Sequence, residues 1–171
     1  MASSTLDRIP AGSGVFVNST IFIYHFTGAS RDCRDFLARC EGGELRGMTS
    51  VVVLAEAAHR LMIVEAVVRG LITPGNVAKK LRARPAVVRR LTAYREQIER
   101  IPLMGIDVAP LELGTLLRSA DLRQRHGLLT NDLLVVAAAV EGGVGALASA
   151  DRDLGRVPEL KAYRPADLPE R

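Results

Sequence analysis

Aromatic residues are scarce in this chain of 171 residues: they make up 4% of it, and tryptophan is absent. So few rings exclude a surface on which nucleic-acid bases stack in succession. No apolar run reaches the roughly 18 residues that a membrane span requires. The N-terminus, MASSTLDRIPAGSG, is polar and rich in turn formers, without the basic-then-apolar pattern of a signal peptide. We therefore expect a cytoplasmic protein without membrane contacts.

Only two cysteines are present, Cys33 and Cys40, and they lie seven positions apart on one predicted helix. Two helical turns separate them by about 10 Å, which is too far for a disulfide. Without a nearby histidine or a second cysteine pair, a zinc site is also disfavoured. We expect free thiols in a reducing compartment.

Several common catalytic signatures are also missing. The chain has no Gly-x-Gly-x-x-Gly after its first predicted strand, no Gly-Lys-Ser/Thr loop and no Gly-x-Ser-x-Gly elbow. These absences disfavour a dinucleotide cofactor, a P-loop nucleotide site and an α/β-hydrolase.

Strand-like and helix-like apolar segments alternate along the chain. Strands are predicted over residues 15–22, 45–48, 104–108, 146–149 and 161–163. The helical patterns between them end at glycines or before prolines. This alternation predicts an α/β fold with a mostly parallel sheet. We expect residues 1–13 to be a flexible lead and residues 14–171 to form a single domain.

Positive charge is concentrated in one segment. Lys79–Arg100 contains eight cations and two anions, so it carries +6, whereas the whole chain has a net charge of +4. A basic surface beside an acidic site suits a polyanion such as a nucleic acid. The alternative interpretation is an ordinary solvated helical surface.

Four distant positions follow or enter apolar segments and could converge on one pocket: Asn18, Glu56, Asp132 and Asp151. Ligands of parallel sheets bind at the carboxyl ends of the strands. Shielded carboxylates need a compensating partner, and a divalent cation is one such partner. The spacing therefore predicts a metal site that the fold assembles.

Each of these residues has a simpler explanation as well. Asp132 and Asp151 follow Thr130 and Ser149, where a carboxylate favours a helix N-terminus by up to about 1 kcal/mol. Glu56 is harder to explain in this way, because it is the single polar residue in residues 51–58. With His59 it forms Glu-x-x-His, but a di-iron site needs two such pairs.

Four stretches, in this order, carry a family resemblance: VFVNSTIFIY, TSVVVLAE, LLTNDLLVVAAA and ALASADRDL. Together they resemble the PIN-domain family, in particular the VapC-type toxins of toxin–antitoxin pairs. The resemblance spans about residues 15–168. It implies a three-layer α/β/α fold whose central sheet is mostly parallel and flanked by helices.

The resemblance also implies an activity and partners. It implies an endoribonuclease that depends on Mg²⁺ or Mn²⁺, acts on RNA, is neutralised by a cognate antitoxin and forms a homodimer. The catalytic and metal-binding positions would be Asn18, Glu56, Asp132 and Asp151, with Asp153 as a further acid near the metal.

The departure from the family pattern is Asn18, where the family has aspartate. A unit charge about 4 Å away is worth about 4 kcal/mol at an effective dielectric near 20, before desolvation is subtracted. We therefore predict weaker metal binding and impaired cleavage. The alternatives are a catalytically degenerate PIN-like domain that binds RNA or protein, and a generic α/β regulatory domain.

Overall fold

A computed structural model describes residues 4–169 of the chain. Within that range six strands form one sheet in the spatial order β1-β6-β5-β2-β3-β4. Every neighbouring pair runs parallel, which confirms the predicted sheet type. The strands are β1 (Ser4–Thr5), β2 (Gly14–Val17), β3 (Arg46–Ser50), β4 (Ile106–Ala109), β5 (Ala146–Ala148) and β6 (Lys161–Arg164).

Eight α-helices within residues 4–169 flank this sheet in a three-layer α/β/α arrangement, as the resemblance implies. None of them is both long enough and apolar enough to cross a membrane. They are α1 (Ser19–Phe26), α2 (Arg31–Glu41), α3 (Val51–Val68), α4 (Val77–Arg82), α5 (Pro85–Val88), α6 (Ala93–Arg100), α7 (Leu113–His126) and α8 (Thr130–Glu141).

The central position of β2 in the sheet explains why its sequence does not alternate between apolar and polar residues. Val15, Phe16 and Val17 are fully buried, and β2 pairs with β3 on one side and β5 on the other. A parallel strand covered on both faces is apolar throughout. The carboxyl ends of β2, β3 and β5 therefore lie side by side at one edge of the sheet.

The first predicted strand is too long. It was expected over residues 15–22, but β2 ends at Val17 and α1 begins at Ser19. Ile21, Phe22 and Ile23 are all buried in α1. Since three consecutive positions of the helix are apolar and enclosed, the helical period is hidden and the β-branched residues imitate a strand.

The expected flexible lead is wrong for residues 4–13, whereas residues 1–3 lie outside the described range. Ser4–Thr5 pair with β6, and Leu6 and Ile9 are buried in the core. The Arg39 guanidinium donates to the carbonyl oxygens of Leu6 at 3.0 Å and Ile9 at 2.6 Å. Buried Leu6 and Ile9, together with hydrogen bonds from Arg39, thus hold residues 4–13 on the domain, although the composition of this segment is typical of a loop.

The positively charged segment Lys79–Arg100, named here the basic lobe, covers most of α4 and all of α5 and α6. Leu81 and Leu91 pack with Ala66 and Ile72 in a small core of their own. The Glu65 carboxylate on α3 accepts hydrogen bonds from the backbone N–H groups of Thr92 (3.0 Å) and Tyr94 (3.2 Å). The lobe is therefore attached to α3 by apolar contacts and by one carboxylate.

Candidate metal centre

Asn18 lies directly after β2, at the carboxyl edge of the sheet. Its backbone N–H donates to the Ala148 carbonyl at 3.0 Å and so continues the pairing of β2 with β5. Its buried side chain accepts from the Ser19 N–H at 2.8 Å and donates through Nδ2 to Ser149 Oγ at 3.0 Å. The amide therefore caps α1 and is fixed by a serine from the neighbouring strand end.

Ser149 also orients the loop that carries Asp151. Ser149 Oγ accepts the Asp151 N–H at 3.0 Å, and Asp151 Oδ1 accepts the Asp153 N–H at 2.9 Å. The Ala150 N–H donates to Thr20 Oγ1 at 3.0 Å, which ties this loop to the first turn of α1. One buried hydroxyl, 131 positions from Asn18, thus links Asn18 to the Asp151 loop.

Glu56 is brought to the same edge by the turn from β3 into α3. The Thr49 hydroxyl donates to the Val17 carbonyl at 2.9 Å, which joins the ends of β3 and β2. Ser50 caps α3 by accepting the Val53 N–H. Glu56 lies in the second turn of this helix and is half-buried.

Asp132, in the first turn of α8, lies close enough to the other acids for their charges to affect its carboxyl group. Burial raises the pKa of its half-buried carboxyl, and repulsion from Asp151, Glu56 and Asp153 raises that pKa further. No positive charge among the described residues is part of this shift. The structure therefore gathers four acids within electrostatic reach of one another, named here the acid edge: Glu56, Asp132, Asp151 and Asp153.

The donor chemistry of the acid edge fits a divalent cation, because carboxylate oxygens are the ligands that Mg²⁺ and Mn²⁺ prefer. Uncompensated repulsion around Asp132 fits one as well. Across residues 4–169, however, no three His, Cys, Asp or Glu side chains stand in an arrangement that would hold a metal ion. Asn18 occupies the strand end where the family resemblance expects a further carboxylate.

Asp153 differs from the other three acids. It is exposed, and its Oδ1 pairs with Arg156 Nη2 at 2.7 Å. His59 is exposed on α3. Both cysteines are buried and unpaired, as expected from their spacing, and burial raises the pKa of each thiol to about 12.

Sequence reasoning missed a cavity beside Asp151. Its volume is about 590 Å³, and it opens at the carboxyl ends of β1, β5 and β6. A charged residue at the end of the β6 pattern, Arg164, is the signal that could have indicated it. Its lining is formed by Thr5, Tyr24, Ala29, Ala150, Asp151, Arg152, Arg164, Pro165, Ala166, Leu168 and Pro169.

A comparison with protein families finds that the PIN domain model matches residues 15–160 of this chain. A comparison with curated proteins finds no match.

Solved structures with the same fold include proteins of toxin–antitoxin systems. VapBC2 from Rickettsia felis, bound to a DNA fragment from its promoter, matches with a TM-score of 0.56 and 15% identity, over 89% of this chain and 98% of that one. A toxin–antitoxin complex from Klebsiella pneumoniae has a TM-score of 0.53 and 20% identity, over 85% and 94%. VapC20 from Mycobacterium tuberculosis, a sarcin-ricin loop cleaving toxin, has a TM-score of 0.54 and 15% identity, over 82% of this chain and 92% of that one. At such low identities these similarities show the fold.

Proposed function

The chain belongs to the PIN-domain family, and on that premise we propose that it is a metal-dependent endoribonuclease, the toxin of a toxin–antitoxin pair. The observation that carries this proposal is the gathering of four carboxylates at the carboxyl edge of the sheet, where burial, and then repulsion from Asp151, Glu56 and Asp153, raises the pKa of Asp132. Perturbed carboxyl groups in such a position are typical of functional sites. The structural similarity to VapC and VapBC proteins supports the same role.

In this proposal the acid edge holds the metal. Glu56, Asp132 and Asp151 bind it directly or through water, and Asp153 adjusts its charge environment. Bound Mg²⁺ or Mn²⁺ supplies an activated water and neutralises charge on the phosphate and the leaving oxygen. Ser149 keeps Asn18 and the Asp151 loop in position through the two hydrogen bonds that it accepts.

The basic lobe supports a polyanionic substrate. Residues 66–95 contain no Asp or Glu, and eight Lys or Arg residues fall within them. Lys79, Arg82, Arg84, Arg89 and Arg90 are all exposed. Such a surface raises the local concentration of RNA and speeds its encounter with the protein at low salt.

Asn18 impairs this activity in our proposal, because a neutral amide stands at a ligand position. Asn18→Asp should be tolerated, since a carboxylate can still cap α1 and can accept a hydrogen bond from the Ser149 hydroxyl in place of the one that the amide donates. We expect Asn18→Asp to raise RNA cleavage in Mg²⁺ or Mn²⁺ by at least tenfold and by up to about a thousandfold. Cleavage of an end-labelled RNA measures it.

Asn131→Asp is the matched control, because it adds the same charge at an exposed position next to Asp132. Adding Asp132→Asn to Asn18→Asp should abolish the gain, which also excludes a contaminating nuclease. Equal cleavage by the Asn18→Asp and Asn131→Asp variants would contradict the proposed role of position 18.

The second candidate function is a PIN-like domain that binds RNA or protein without cleaving it. The hydrogen bond from Asn18 Nδ2 to Ser149 favours it, because it integrates the amide into the site. Calorimetry with Mn²⁺ separates the two candidates. Heat of binding that disappears in Asp132→Asn supports the nuclease, whereas no binding even after Asn18→Asp supports the non-cleaving domain.

The proposed partners follow from the same premise. We propose a cognate antitoxin, a homodimer, and action in the cytoplasm. One of the similar structures is described as a toxin–antitoxin complex, and another is VapBC2 bound to promoter DNA, which supports the antitoxin.

A further inference from the structure

The cavity beside Asp151 borders the acid edge but has the opposite electrostatic character. Asp151 contributes to both, whereas Arg152 and Arg164 line only the cavity. Its volume of about 590 Å³ falls within the range of roughly 300–1,000 Å³ that small-molecule sites span. The cavity therefore has room for a ligand of nucleotide size directly beside the candidate metal centre.

Arg164 has hydrogen-bonding capacity that the protein leaves unused. Its Nη2 donates to the Arg152 carbonyl at 3.0 Å, but its shielded Nε has no acceptor among the described residues. A shielded donor without a partner is unfavourable, and an oxygen-rich anion that enters beside this guanidinium would supply the missing acceptor.

The fold makes room for the Arg164 side chain. A Cβ at Gly155 would lie 2.8 Å from Arg164 Nη2, so the glycine permits the guanidinium to occupy this place. Burial lowers the pKa of Arg164, the Arg152 charge lowers it further, and Asp151 acts in the opposite direction. The Arg164 guanidinium thus lies beside the cavity among charges of both signs, and a bound anion would add a favourable interaction with it.

We propose that this cavity binds a nucleotide of the RNA strand next to the cleaved bond, with Arg164 contacting a backbone phosphate. The identity of the strand as substrate rests on the proposed function. The polar side of the cavity, at Arg164 and Arg152, suits the phosphate. Tyr24 supplies an aromatic surface and Pro165 and Leu168 supply apolar ones, which suit the sugar and base.

The position of the cavity gives the strand a direction. Asp151 follows β5, and Arg164 ends β6, which is the next strand of the sheet on the side away from β2. A strand whose reacting phosphate lies at Asp132 and Asp151 would therefore continue outward past β6. No residue of the basic lobe lines the cavity, so in this proposal the lobe attracts RNA electrostatically and does not hold this nucleotide.

The test is binding of a fluorescent 2′-O-methyl RNA, which resists cleavage, in EDTA and over a series of salt concentrations. We expect Arg164→Met to weaken binding about tenfold and to reduce the slope of log K against log salt by about 0.7, the value for one phosphate contact on a single strand. Arg164→Lys should restore part of both. Arg125→Met, which removes an exposed cation of α7 outside the cavity, should leave binding within twofold of the wild type.

Ala29→Trp gives a second test that leaves Arg164 in place. Ala29 is exposed and lines the cavity, so a large ring there should fill it and weaken binding without removing a charge or changing the salt slope. This variant decides the matter if circular dichroism shows that Arg164→Met does not fold. Wild-type affinity in the folded variants would overturn the proposal.

Two further probes distinguish other occupants. A poly-glutamate peptide that binds through Arg164 more tightly than the RNA would assign the cavity to an acidic protein segment and overturn the proposal. Arg164-dependent binding of inorganic phosphate, with RNA binding unaffected by Arg164→Met, would also overturn it. RNA cleavage is a separate measurement. If RNA binding depends on Arg164 but even the Asn18→Asp variant does not cleave RNA, the proposed nuclease function is contradicted. The assignment of the cavity would still hold in that case.

Discussion

Two carboxylates shielded from solvent, Asp132 and Glu65, lie in regions of opposite charge and are treated oppositely by the fold. At the acid edge, burial and three other acids raise the pKa of Asp132. At the base of the basic lobe, burial of Glu65 acts to raise its pKa, but hydrogen bonds from Arg69 and from backbone N–H groups of Thr92 and Tyr94 lower it overall.

The difference separates a carboxylate that the protein satisfies with its own donors from one that it does not. Glu65 accepts from Arg69 Nη1 at 2.7 Å, and the same nitrogen donates to the Arg90 carbonyl at 2.7 Å. The fold thus satisfies Glu65 completely with its own donors. It leaves Asp132 opposed by like charges, and an unsatisfied cluster of this kind is where a ligand has something to contribute.

The largest effect expected within this comparison is on stability, from Glu65→Gln. The change keeps the shape but removes the charge that three donors share, so we expect a loss of about 2 kcal/mol in the free energy of unfolding. Urea denaturation followed by circular dichroism measures it.

Glu99→Gln is the matched control for that change. Glu99 also pairs with an arginine four positions away, Arg95, but its side chain is 58% exposed whereas that of Glu65 is 6% exposed. An exposed pair of this kind contributes about 0.5 kcal/mol or less. Equal losses in the two variants would show that burial of Glu65 does not matter.

Glu56 and Glu65 together show what a sequence pattern can and cannot predict. Glu56 and Glu65 are both single charges in apolar stretches of α3, but only Glu56 is predicted to be a ligand. The partners of Glu65 lie up to 29 positions along the chain. The pattern therefore indicates that a carboxylate needs a partner, but the tertiary structure decides whether that partner is the protein.

For the fold, the elements with strong local signals could be predicted and the others could not. The end of α2 matches the expectation that helices stop at glycines, because Gly42-Gly43 follow it, and Ser30 caps its start. The turn from β2 into α1 was missed because burial of Ile21 and Phe22 overrides their β propensity. The mutual proximity of Asp132, Asp151, Glu56 and Asp153 follows from strand order, whereas their role as metal ligands stays a prediction.

A second effect, of intermediate size, is the pH dependence of the Glu65→Gln loss. The pKa of Glu65 is lowered in the folded protein from its ordinary value of 4.5. Its stabilisation is therefore fully present above that value and disappears as the pH falls through the lower folded-state pKa. Wild type and Glu65→Gln should converge in acid, as measured by urea unfolding at a series of pH values. A gap that stays constant would mean that the charge of Glu65 contributes nothing.

The smallest effect has the opposite sign and comes from Asp132→Asn. The folded-state pKa of Asp132 is raised above its ordinary value of 3.8, so its charge opposes folding above that raised pKa and ceases to do so below the ordinary value. The helix dipole of α8 recovers part of this cost, because Asp132 lies in the first turn. In EDTA at neutral pH we expect Asp132→Asn to gain about 0.5 kcal/mol, since partial exposure screens the repulsion. Asn131→Asp, one position away, should lose stability through the added repulsion. A loss in Asp132→Asn would mean that the acid edge is already compensated without a metal, and that the contrast with Glu65 does not mark a site.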